Sequence, residues 1–100
     1  MTELTGKQKR FLRGRGQTLS PAAIIGKSGL TDEAIANIRE RLAQHELVKI
    51  RLPEGMDRKA LAAELAERTK ADLIGVIGRT CLLYIPNPQL PGHARLNLPK

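Results

Sequence analysis

Hydrophobic positions follow two different spacings along the chain, and each change of spacing marks the border of a predicted element. Three segments have the 3.6-residue spacing of amphipathic helices, and four short apolar runs have the length or alternation of strands. The predicted helices begin after the capping residues Thr5, Thr31 and Asp57 and end near Gly14 or Gly16, Gln44 and Ala71. The predicted strands are Ala22–Ile25, Leu47–Leu52, Leu73–Ile77 and Thr80–Ile85. The order α-β-α-β-α-β-β predicts a two-layer α+β fold, in which helices pack on a four-stranded mixed sheet.

The first predicted helix separates apolar from basic residues. Leu4, Gln8, Phe11 and Leu12 fall on one face at about 100° per residue. The other face carries the cations Lys7, Lys9, Arg10 and Arg13. Because Arg15 would return to the apolar side, we expect a glycine cap at position 14 or 16 to end the helix.

The second predicted strand alternates in the manner of a half-buried strand. Val48, Ile50 and Leu52 point one way, and Leu47, Lys49 and Arg51 point the other way as a partly basic outer row. The last two strands are joined by Gly78-Arg79, and glycine in the first position suits a type II′ hairpin turn.

The chain changes character at Pro86. Four of the last fifteen residues are proline, and no hydrophobic period continues. We therefore predict one domain over residues 1–86 and a Pro-rich tail over residues 87–100, which is either mobile or laid along the domain.

Charge is the strongest compositional signal. The 100 residues include seventeen Lys and Arg against ten Asp and Glu, for a net charge of +7. Such an excess favours a polyanionic partner. No apolar run approaches the roughly 20 residues of a membrane span, and the N-terminus lacks a signal-type stretch, so we expect a cytoplasmic protein without membrane contact.

Few residues have the chemistry of catalysis or metal binding. Cys81 is the single cysteine and lies in an apolar run, which is typical of a buried structural thiol. His45 suits a helix end, and His93 has no evident partner. The sequence therefore predicts no enzyme, no metal, no cofactor and no small-molecule substrate.

The Gly26-Lys27-Ser28-Gly29 segment, between a strand and a capped helix, has three interpretations. It can be a simple tight turn. It is not a nucleotide phosphate loop, because Pro21 stands where that pattern requires glycine. It can also be the phosphate clamp of KH-type RNA modules, whose GXXG loop holds the nucleic-acid backbone. The strand-loop-helix context and the basic first helix favour this clamp. Phe11 and Tyr84 are the only aromatic residues and are both expected in the core, which argues against base stacking on exposed rings.

Three motifs in order resemble the CRM domain, the RNA splicing and ribosome maturation domain, in its stand-alone bacterial YhbY form. They are residues 25–31 (IGKSGLT), 45–50 (HELVKI) and 76–84 (VIGRTCLLY). The resemblance implies a fold like the C-terminal domain of translation initiation factor 3, with the GXXG loop and basic residues on the RNA face. It also implies association with precursors of the large ribosomal subunit. The chain departs from the family at Ile85 and Gln17, where relatives often have arginine and histidine.

The candidate RNA-binding residues belong to the loop, the first helix and the sheet. They are Gly26, Lys27, Ser28, Gly29, Lys7, Lys9, Arg10, Arg13, Arg15, Lys49, Arg51 and Arg79. The strand cations can equally be solvated, and Arg79 qualifies only if the hairpin lies beside the loop. We expect a monomer that binds ribosomal RNA; the alternative is an architectural DNA-binding protein.

Overall fold

Three side-chain caps set the helix starts in the computed structural model, which describes residues 3–100. The Thr5 hydroxyl accepts a hydrogen bond from the Gln8 amide at 3.1 Å, and the Gln8 side chain accepts one from the Thr5 amide at 3.0 Å. Thr31 and Asp57 cap the other two helices through single bonds of 3.1 Å. All three predicted caps are confirmed. The helices are α1 (Gly6–Gly16), α2 (Asp32–Gln44) and α3 (Arg58–Thr69).

Four strands form one mixed sheet in the order β1-β2-β4-β3. Their bounds are β1 (Ala23–Ile24), β2 (Leu47–Arg51), β3 (Asp72–Ile77) and β4 (Thr80–Tyr84). Strand β1 is parallel to β2, and the other two pairs are antiparallel. Gly78 has a φ of +58°, the positive value that a type II′ turn requires in the first position. The predicted element order and the four-stranded mixed sheet are confirmed.

Strand β1 differs from its prediction as a buried strand over Ala22–Ile25. Only Ala23 and Ile24 pair with β2 in the ladder, and the Ile24 side chain is 70% exposed while Ile25 is buried. The reason is the placement of the helices: Ile25 joins the cluster formed with α2 and α3, whereas α1 packs against β2 and β3 and leaves Ile24 uncovered on the other face.

Hydrophobic residues from the two faces of the sheet form two separate clusters. The larger cluster joins Val48, Ile50 and Leu83 to the apolar sides of α2 and α3. The second joins Leu12 of α1 to Leu47 and Leu82 on the opposite face. Leu47 therefore does not belong to a solvent-facing row, as the alternation of β2 suggested. The structure adds a third layer, formed by α1, to the two that were predicted.

Gly16 packs against the sheet and does not cap α1. The C-cap is Gln17, in right-handed helical conformation, and Arg15 stays inside the helix with an exposed side chain. A Cβ built on Gly16 would lie 2.6 Å from Leu82 Cδ2. The predicted end of the helix near Gly16 is confirmed, and only the capping role is wrong. Gly16 is the last helical residue, where the missing Cβ lets the helix backbone approach the buried Leu82.

Residues 87–100 lie against the domain. Leu96 and Leu98 pack on the second cluster, and the Gln8 side chain donates to the Pro99 carbonyl at 3.0 Å. The buried carboxylate of Glu46 accepts from the Asn87 and Leu96 amides, each at 2.7 Å. The tail thus shares the core under α1.

Candidate nucleic-acid interface

The Gly26–Gly29 loop projects from the end of β1 as a tight turn. The Gly29 amide donates to the Gly26 carbonyl at 3.0 Å, and Gly29 has a φ of +76°, a conformation that favours glycine. Lys27 and Ser28 are exposed, and neither side chain has a hydrogen-bond or ion-pair partner within the described residues. The turn therefore presents an ammonium group and a hydroxyl to solvent.

Acidic residues modify the potential at the start of α2, directly after the loop. Asp32 and Glu33 occupy its first turn, and Arg68 of α3 pairs with Asp32 at 3.1 Å while donating to the Leu30 carbonyl at 2.7 Å. These carboxylates offset the positive helix end. The positive charge at the loop therefore comes mainly from Lys27 rather than from the dipole of α2.

The loop shares one end of the sheet with two more candidate cations. The Ile25 amide donates to the Arg51 carbonyl at 2.9 Å, and the Leu52 amide donates to the Arg79 carbonyl at 2.6 Å. The hairpin tip thus lies two strand spacings, about 10 Å, from the end of β1. Arg51 is exposed beside β1, whereas Arg79 forms an ion pair with Glu54.

Helix α1 crosses the opposite half of the sheet face. Lys9 lines a groove with Asp72 and Leu73, and Arg15 lines another with His45 and Leu47. Both grooves lie at the far end of the strands from the loop, because Asp72, Leu47 and the end of β4 are paired there. The two ends of the sheet are about 13 Å apart along the strands, because Leu47 and Arg51 of β2 are four residue steps apart.

Two further candidate cations donate hydrogen bonds to backbone carbonyls. The Arg13 guanidinium donates to the Ile74 carbonyl at 3.4 Å, and its side chain lies over Gly75. The Lys49 ammonium donates to the Gly16 and Leu19 carbonyls, each at 3.3 Å. These side chains hold α1 and the following connection to the sheet, while Lys7, Lys9, Arg10 and Arg15 stay exposed.

Sequence reasoning missed two residues, Lys59 at this surface and the buried Glu46 that holds the tail. Lys59 is exposed in the first turn of α3 and lines a groove with Met56 and Gly78 beside the hairpin tip. Its exposure in the first helical turn could have been inferred from its position two residues after the Asp57 cap. The buried Glu46 offered no signal, because its partners lie about 40 to 50 positions away along the chain.

The buried titratable groups are in the core rather than at this surface. Burial raises the pKa of the Cys81 thiol to about 12, as expected of a structural thiol. Burial also raises the pKa of Tyr84, with the Glu46 charge as a smaller cause. Among residues 3–100, no three potential metal-ligating side chains come together, and no helix is long and apolar enough to cross a membrane.

A protein-family model matches most of the chain. The model of the CRS1/YhbY (CRM) domain matches residues 4–84, which include the loop, α1 and the whole sheet. The chain belongs to the CRS1/YhbY (CRM) domain family.

Relatives of this CRM domain extend over most of its length. A probable RNA-binding protein of Pseudomonas aeruginosa is 38% identical over 88 residues, covering 86% of this chain and 85% of the relative. An RNA-binding protein of Haemophilus influenzae is 35% identical over 103 residues, covering 100% of this chain and 99% of its own length. The probable RNA-binding protein YqeI of Bacillus subtilis is 39% identical over 83 residues, covering 81% and 86%.

A solved structure has the same fold as this CRM domain. The solution structure of a hypothetical Staphylococcus aureus protein proposed to bind RNA superposes with a TM-score of 0.82 at 34% identity, covering 97% of this chain and 100% of the other. The names of these relatives describe RNA-binding proteins and not enzymes, in line with the prediction that this chain is not an enzyme. The expected likeness to the C-terminal domain of translation initiation factor 3 stays a prediction.

Proposed function

We propose that this CRM domain binds RNA without catalysing a reaction and that its target is ribosomal RNA in precursors of the large ribosomal subunit. The observation that carries the proposal is the exposed Gly26–Gly29 turn, with Lys27 and Ser28 free, in a chain whose relatives are named RNA-binding proteins. The choice of ribosomal RNA rests on the resemblance of the three motifs to the YhbY form. We further propose that the protein acts as a cytoplasmic monomer.

The turn suits a phosphate for steric and electrostatic reasons. No atom outside the immediate chain neighbours lies within 4 Å of a Cβ built on Gly26, and at Gly29 only Met56 Cε lies that close. A ligand backbone can therefore approach the main chain here. Lys27 adds one full charge and Ser28 one hydroxyl donor. Such contacts fix the position of the RNA but read no base.

The exposed cations of α1 form a second, separate contact. Lys7, Lys9, Arg10 and Arg15 lie on the far half of the sheet face, on the order of 20 Å from the turn by strand and residue spacings. One phosphate cannot meet both sites. The arrangement favours an RNA strand several nucleotides long, or a folded RNA that presents two backbone segments.

The salt dependence of binding tests the clamp directly. Each phosphate contact on single-stranded RNA contributes about −0.7 to the slope of log affinity against log salt concentration. Lys27→Ala should reduce the slope by about that amount in fluorescence anisotropy titrations. Arg39→Ala removes the same charge from the exposed side of α2 and serves as the control. Equal slopes for Lys27→Ala and the control would show that the turn does not hold a phosphate.

The ribosomal target is tested by sucrose-gradient sedimentation of cell extracts. Lys27→Asp with Ser28→Asp should move the protein from the large-subunit precursor fractions to the top of the gradient. The matched control is Asn37→Asp with Arg39→Asp, which lowers the net charge equally on the exposed side of α2. If the wild-type protein itself stays at the top at low salt, the ribosomal assignment is wrong. Competition between duplex DNA and ribosomal RNA fragments then tests the architectural DNA-binding alternative.

A further inference from the structure

One row of side chains crosses the whole sheet on the face that α1 occupies. Ladder partners place Ile24 beside Arg51, Arg51 beside Thr80, and Thr80 beside Ile77. Paired residues point to the same face of a sheet. The row of Ile24, Arg51, Thr80 and Ile77, here named the end row, therefore spans all four strands, about 14 Å at three strand spacings.

Helix α1 stops short of the end row. Its Gly16 backbone and its Arg13 side chain cover the adjacent row, where Leu82 and Gly75 are paired. Beyond that cover, Ile24 is 70% exposed and Ile77 is 49% exposed. These two are the most exposed large hydrophobic side chains in the described chain. Two β-branched aliphatic side chains are thus exposed to solvent on the same face of the sheet.

The charges around the end row suit an anionic ligand. Arg51 is exposed between the two isoleucines, and Lys27 lies in the turn that begins two residues after Ile24. The acidic residue among the described strands, Asp72, lies at the opposite end of β3. Glu54 is near the row through its partner Arg79, which compensates its charge.

We propose that the end row is a platform for unpaired RNA bases whose phosphates lie on the Gly26–Gly29 turn, an inference that rests on the proposed RNA-binding function. Bases have flat apolar faces that pack on aliphatic side chains, and an arginine guanidinium stacks on them as aromatic rings do. The platform would hold bases although neither of the two aromatic residues, Phe11 and Tyr84, is exposed. Together, the platform and the turn would bind both the bases and the backbone of an unpaired RNA strand.

A second copy of the chain fits the end row less well than RNA. Two copies meeting face to face would bring their Arg51 and Lys27 charges together, which is unfavourable. The surface area of a single row of four side chains is also far smaller than the roughly 1,200 Å² buried in a stable protein interface.

The test compares two labelled ten-residue probes, a mixed-sequence single-stranded RNA and an abasic ribose-phosphate oligomer of the same length. Ile24→Thr with Ile77→Thr keeps β-branched residues in both strands but removes apolar contact area. We expect this double variant to bind the RNA about three- to tenfold more weakly, with an unchanged salt slope, because the lost contacts are apolar. Binding of the abasic probe should not change. The control is Leu19→Thr, which changes an exposed hydrophobic residue outside the end row.

Four results would overturn the platform. Unchanged RNA binding by the double variant, or an equal loss on both probes, would show that the end row does not contact bases. A dimer of the wild-type protein that the double variant dissociates, in sedimentation velocity, would identify the row as a self-association surface. If the wild-type protein binds neither probe, the proposed function fails as well. If Lys27→Ala lowers the salt slope but the double variant binds the RNA as tightly as the wild-type protein does, the platform fails and the proposed function stands.

Discussion

The packing of Gly16 against Leu82 leads to a quantitative prediction for the stability of the domain. Gly16→Ala adds a Cβ that would lie 2.6 Å from Leu82 Cδ2 and closer still to Cδ1. Unstrained carbon atoms are about 3.5 to 4.0 Å apart, so the helix or the leucine must move by about 1 Å. Leu82 is only 1% exposed and packed on all sides, and it cannot yield freely.

Gly14→Ala is a matched control in the same helix. No atom outside the local backbone lies within 4 Å of a Cβ built there. Both changes gain helix propensity, by at most about 1 kcal/mol. Overpacking in a core typically costs about 1 to 3 kcal/mol. We therefore expect Gly16→Ala to be less stable than Gly14→Ala by about 1 to 3 kcal/mol, whatever the exact propensity term.

Urea denaturation followed by circular dichroism measures this difference. With a slope of about 1 to 3 kcal/mol per molar urea, a difference of 2 kcal/mol separates the two midpoints by about 1 M. Coincident midpoints would refute the close approach of α1 to Leu82. The placement of the basic face of α1 would then need revision, because that packing sets the height of the helix above the sheet.

Three further predictions concern the tail, the core thiol and the cations of α1. Glu46→Gln removes one of the two carboxylate oxygens that hold the tail amides, so domain stability should fall by about 1 to 3 kcal/mol. Hydrogen exchange at Leu96 should accelerate; unchanged protection would contradict the anchor. Since burial raises the pKa of Cys81 to about 12 from 9.0, the folded state retains a proton that the unfolded state loses between those values. Stability should therefore fall by about 1.4 kcal/mol per pH unit in that window, and this component should be missing from the pH dependence of Cys81→Ala. Arg13→Ala should lower the thermal midpoint through loss of its contacts to β3, while Arg10→Ala should leave it unchanged and reduce the salt slope of RNA binding. Equal midpoints for these two variants would contradict the structural role of Arg13.

Local sequence determined the elements of this protein. The caps at Thr5, Thr31 and Asp57 each satisfy an amide three residues away, and Gly78 supplies a positive φ within a two-residue turn. Such interactions depend on neighbours along the chain, so the pattern alone predicted the helix starts, the hairpin and the α+β class. The alternation in β2 also placed Val48 and Ile50 correctly in the core.

Tertiary structure decided the surfaces. Lys49 and Arg51 are two positions apart on one face of β2, yet Lys49 holds the end of α1 while Arg51 stands exposed beyond it. Periodicity could not distinguish them, because the difference depends on where α1 crosses the sheet. The end row, likewise, exists only through the order and register of four strands distant in sequence. Contacts between distant segments leave no local pattern, which is why the chain alone revealed its elements and its charge but not how its cations are grouped.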